Sequence, residues 1–64
     1  MGLKQYYNKK VHIVDTSGNE WEGLVDVYVY PEDNESGNES IIVDTGEKSV
    51  EFEESDIKEI KELE

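Results

Sequence analysis

The sequence predicts a mainly β fold: a small, five-stranded, strongly bent antiparallel barrel with a short helical turn at its N-terminus. Three observations carry this. Apolar residues alternate with polar ones in short runs, the period of a half-buried strand. Clusters of turn-forming residues separate the runs. Gly18 and Gly23 stand five residues apart, one in a turn cluster and one inside what otherwise reads as a single long strand. A glycine inside a strand forfeits packing and entropy, so it marks a bulge, a bend or a close backbone approach. A hairpin followed by a bent strand is how a very small chain curls its sheet around one core.

Residues 3–8 place Leu3, Tyr6 and Tyr7 at i, i+3 and i+4, the spacing of one helical turn with an apolar stripe. A first strand is expected over residues 9–15, with Val11 and Ile13 inward and His12 outward. After the turn cluster of residues 16–19, a long second strand covers residues 20–30. Its core face holds Trp21, Gly23, Val25, Val27 and Val29, and its other face holds Leu24, Tyr28 and Tyr30 among acids. Pro31 has no amide hydrogen for a ladder and ends the strand. Residues 32–39 are polar or glycine and read as a solvated loop. A third strand over residues 40–45 turns Ile41 and Val43 inward, and a fourth over 48–53 buries Val50 and Phe52.

Residues 54–64 carry two competing signals. Ile57, Ile60 and Leu63 recur every three residues behind Ser55 and Asp56, as in a capped helix. Four curled strands, however, leave an open edge that a fifth would cover, so the expectation is a tight turn and then a strand over 58–63. The expected core is Val11, Ile13, Trp21, Val25, Val27, Val43, Val50, Phe52, Ile57 and Ile60.

Sixty-four residues allow one domain, residues 1–64, and one small core. There is no cysteine and a single histidine, so neither a disulfide nor a zinc site is expected to support it. Seventeen acids against six lysines, with no arginine, give a formal charge of −11. Such an excess repels phosphate backbones and lacks the guanidinium fork that grips them. No apolar run approaches the ~20 residues that span a bilayer, and residues 1–10 lack a signal-peptide core, so a cytoplasmic protein without a membrane partner is expected.

Candidate chemistry is sparse. With Glu32 as the first position of a calcium loop, Asn34, Ser36 and Gly37 fall on appropriate places, but Val43 stands where the closing glutamate belongs. No cofactor or metal is therefore expected. His12 on an outward strand position has no evident acid or serine partner, and a core this small offers little cleft, so no catalytic residue and no enzyme is expected. Trp21 alternates with Val25 and reads as a core anchor rather than a base-stacking platform. Leu24, Tyr28 and Tyr30 together form an amphipathic patch of the kind enriched at protein interfaces, and are the candidate partner-binding residues.

Taken together, the pattern resembles the Sm-like (LSm) family, including small bacterial members. Val11-His12-Ile13, Gly18, Trp21, Gly23 and Val25, with Asp33-Asn34 beyond, are similar to the family's first motif. Val50, Phe52, Asp56-Ile57 and Ile60 match its second in part. The resemblance implies a short N-terminal helix, five bent strands, and commonly a ring in which the fourth strand of one subunit pairs with the fifth of the next. In RNA-binding members it also implies an aspartate-and-asparagine loop, here Asp33 and Asn34, and a basic turn before the fifth strand. That turn reads Glu53-Glu54-Ser55-Asp56 here, which removes the cation that would meet RNA. The expected function is therefore a non-catalytic, acidic interaction module that associates with itself or a protein partner. An RNA-binding ring using Asp33 and Asn34, or an acidic decoy for a nucleic-acid-binding protein, are the alternatives.

Overall fold

The computed structural model describes residues 2–63. Five antiparallel strands form one sheet: β1 (Lys10–Asp15), β2 (Glu20–Val29), β3 (Ser40–Asp44), β4 (Ser49–Glu53) and β5 (Ile57–Glu62). Their spatial order is β4-β3-β2-β1-β5, so β1 to β4 form a meander and β5 returns to the free side of β1. Among the described residues the only helical elements are 3-10 turns at Lys4–Tyr6, Pro31–Asp33 and Glu54–Asp56.

The C-terminal segment takes the strand. Val11 faces Glu62 and Ile13 faces Ile60 across the β1–β5 ladder. The Glu53 and Asp56 side chains cap each other's backbone, but the helical conformation stops after a single turn and Ile57 enters the core. Helix propensity is a weak preference, and an unpaired β1 edge with a hydrophobic face to cover outweighs it.

A flat single sheet is about 10 Å thick. This molecule measures 27 × 24 × 21 Å, so its one sheet curls and buries one face against itself. That face carries Leu3, Val11, Ile13, Val25, Ile41, Val43, Phe52 and Ile57, drawn from every strand and from the N-terminal segment. β4 and β5 do not pair with one another, so the sheet is curled and open, not closed into a barrel.

Gly23 permits the curl. A Cβ there would run into the Asp44 carbonyl and lie 2.8 Å from Val43 Cγ1, both on the neighbouring β3. Only a residue without a side chain lets β3 fold so closely over β2.

One feature of β2 departs from its alternating sequence. Val25 faces Val43 and Val27 faces Ile42, so Asp26 is an extra residue with no partner, a β-bulge. Beyond it every side chain changes sides. Val27, expected inward, is 40% exposed; Tyr28, expected on the polar face, packs against the core; Val29 lies half-buried outside the core cluster. Trp21, Val50 and Ile60 are half-buried and packed against the cluster. Trp21 meets Phe52 edge-on at 5.6 Å, as a core anchor would.

The N-terminal turn is shorter than its spacing suggests. Leu3 is fully buried and Tyr6 packs on the core, but the 3-10 turn ends at Tyr6, and Tyr7, 53% exposed, enters a reverse turn closed by the Lys9 amide on Tyr6 O.

Candidate functional site

The bulge at Asp26 builds the site. It aims Tyr28 at the gap between the sheet and the N-terminal turn, where its hydroxyl donates to Glu39 Oε1 at 2.8 Å. The same oxygen accepts the Leu3 amide at 3.1 Å. One carboxylate thus ties together the N-terminal segment, β2 and the residue preceding β3. Its hydrogen bond is the main cause, with desolvation and the negative charge of Glu39 behind it, that pushes the Tyr28 phenol up to about 12.

With Tyr28 fixed, Tyr30 meets it edge-on, ring centroids 5.1 Å apart and planes at 62°. The Lys4 ammonium lies 5.0 Å from the Tyr30 ring centroid. Around these groups opens a cleft of about 690 Å³, completed by Tyr7 from the N-terminal segment, Asp26 and Val27 from β2, and Asp33 from the 3-10 turn started by Pro31.

Of the proposed partner-binding residues, the structure brings Tyr28 and Tyr30 together and leaves Leu24 apart. Leu24 precedes the bulge and lines a second hollow with Lys10, Gly23 and Asp44. Asp33 lines the tyrosine cleft. Asn34 does not join it: its side-chain nitrogen donates to Asn38 O at 2.8 Å and to Ser40 Oγ at 3.1 Å. Ser40, fully buried, passes the chain on to Glu51 Oε2 at 2.8 Å. Asn34 therefore holds the loop on the sheet.

The other candidates are engaged structurally. Ser36 Oγ donates to Glu53 Oε1 at 2.9 Å rather than facing Asn34, and no group of three or more potential metal ligands converges among the described residues. His12 is half-buried and does have an acid partner, its Nε2 lying 3.0 Å from Glu20 Oε1 on the adjacent strand. Asp15 organises the β1–β2 turn. Its Oδ2 accepts the Trp21 indole N–H at 3.0 Å, and its Oδ1 accepts the Ser17 and Asn19 amides at 2.9 Å. The indole bond is the largest cause holding the Asp15 carboxyl below its ordinary 3.8; the amides add to it and desolvation opposes it.

Sequence reasoning missed Lys4, Tyr7, Asp26 and Val27 at the cleft, and Glu39 behind it. No local signal marks the bulge, because residues 25–30 alternate without interruption. Comparison with protein-family models, with curated proteins and with solved structures returned no significant match.

Proposed function

We propose that this chain is a small, acidic, non-catalytic Sm-like interaction module that associates with itself, β4 of one copy pairing with β5 of the next so that the curled sheets complete one another as barrels. The observation that carries the proposal is the pair of outer strands. They are five and six residues long, so one can lie along the other. β4 carries Glu51 and Glu53, whereas β5 is neutral, its Lys58 and Lys61 balanced by Glu59 and Glu62. A neutral strand against an acidic one adds no net repulsion at the seam, while the charge of −11 on each copy still opposes association. The turn of Glu53, Glu54 and Asp56 that would face an RNA strand in such a ring carries no cation.

The edge also supplies the variant. Glu54 donates its amide to Glu39 O and Thr45 donates to Lys48 O at the two ends of the β3–β4 ladder. Alternation between them turns the Ser49 amide away from β3. Ser49→Pro removes that outward donor at the first residue of a strand, where proline is tolerated. Light scattering across a salt series should show the wild-type mass rising as repulsion is screened, and Ser49→Pro holding at monomer mass. A wild-type monomer at every salt concentration sinks the self-association. Uptake of a short oligo-uridine RNA would replace the proposal with the RNA-binding reading.

A further inference from the structure

The tyrosine cleft already holds a cation of its own. Lys4 lies over the Tyr30 face, and Tyr28 stands edge-on to that ring, locked by Glu39. Two carboxylates, Asp26 and Asp33, share the lining with this single ammonium. Of the five exposed large hydrophobic residues among those described, three line this one cleft: Tyr7 at 53%, Val27 at 40% and Tyr30 at 42%. Exposed aromatic faces beside uncompensated carboxylates favour a cation with a planar, weakly hydrated head.

We infer that the cleft docks an arginine side chain carried by a basic segment of a partner protein, its guanidinium taking the place over Tyr30 that Lys4 holds within the chain. This chain has no arginine, so a second copy cannot provide the group. Guanidinium suits the site better than ammonium, because it stacks on a ring while its fork reaches a carboxylate. The formal charge of −11 draws a basic segment in. At about 690 Å³ the cleft has the size of a side-chain or small-ligand site. Lys4 competes for the same face, so it sets an intramolecular brake on the affinity. The inference rests on the reading of the chain as an acidic interaction module, and adds to self-association a second, basic partner.

The test is an amide chemical-shift titration of the full chain with a short glycine–arginine peptide, capped at both ends. The same peptide with citrulline, neutral and nearly isosteric, serves as control. Shifts should concentrate at Tyr7, Val27, Tyr30 and Asp33 with the arginine peptide and be absent with citrulline. Lys4→Met, which removes the internal competitor, should tighten binding roughly two- to fivefold. Tyr30→Leu should weaken it by roughly fivefold or more, and its fold is checked by Trp21 emission. Shifts spread over the whole acidic surface and insensitive to Tyr30→Leu would overturn the inference, as would a Lys4→Met chain that binds no better. If the peptide fails while light scattering still finds assembly, the arginine site alone falls. If the peptide binds while the chain stays monomeric, self-association falls and the site stands.

Discussion

Tyr28 and Leu3 meet on one oxygen. The phenol of the first and the backbone amide of the second both donate to Glu39 Oε1, at 2.8 and 3.1 Å. The N-terminal segment, whose Leu3 is fully buried, is thereby fastened to the strand that lines the cleft.

An unfolded tyrosine loses its proton near 10, whereas folded Tyr28 keeps its own up to about 12. Because the folded value is raised, the stabilisation from this phenol is fully present below pH 10 and is lost as pH climbs through about 12. Ultraviolet titration should show a late-ionising step from Tyr28. Tyr28→Phe should abolish that late step and lower Tm by roughly 2–6 °C.

Gly18 and Gly23 should respond to alanine for different reasons. At Gly23 the added methyl strikes the Asp44 backbone, which cannot yield as a side chain can, and the cost should be about 2–3 kcal/mol. At Gly18 nothing lies within 4 Å, and the cost comes from φ of +87° alone, about 1 kcal/mol. Urea unfolding followed by circular dichroism ranks the two; a milder effect at Gly23 would contradict the close approach of β3.

Asp15 offers a test at the acid end. Its folded carboxyl value is lowered, so its contribution is present above the ordinary 3.8 and fades as pH falls through the folded value below it. In Asp15→Asn one amide oxygen must serve donors that the carboxylate shares between two oxygens. At pH 7 the variant should melt roughly 3–8 °C lower than wild type. The gap should close only below pH 3.8, as read by Trp21 emission.

Deleting Asp26 removes the bulge and restores strict alternation along β2. The pairs Val25–Val43, Val27–Ile42 and Tyr28–Ile41 then follow one another without a break, so Val27 stays outward and Tyr28 stays turned towards Glu39. The late-ionising tyrosine should therefore persist at about 12, whereas arginine-peptide binding should weaken because the cleft loses the Asp26 carboxylate. A deletion chain that loses the late tyrosine step would mean that Tyr28 does not follow its pairing with Ile41.

How far the fold was legible follows from where its determinants lie. Local alternation and turn clusters place four strands within a residue or so, and the open edge those four leave, against the helical spacing of residues 54–64, places the fifth. Gly23 disclosed the bend because a missing side chain is visible in a sequence. The bulge was not legible: Val25, Val27 and Val29 alternate without a break, and only the pairing with Val43 and Ile42 makes Asp26 supernumerary. The error then propagated, since a shift of one residue reverses every later side chain. For that reason Tyr28 and Tyr30 were recognised as a pair but grouped with Leu24, from which the bulge separates them. Lys4 and Glu39 reach the cleft from 24 and 11 positions away from Tyr28, in contacts that no periodicity encodes.

The strand order also has a dynamic consequence. Both outer strands are held on one side only, but β4 pairs with its neighbour in the chain, whereas β5 returns across the whole meander to β1, in a ladder linking Val11 to Glu62. Long-range closure comes late in folding and is the readiest to reverse. β5 is thus the flap of this molecule. Its amides should exchange with solvent ahead of those in β2 and β3, and each excursion lays bare the backbone of β1 together with the Ile57 end of the core.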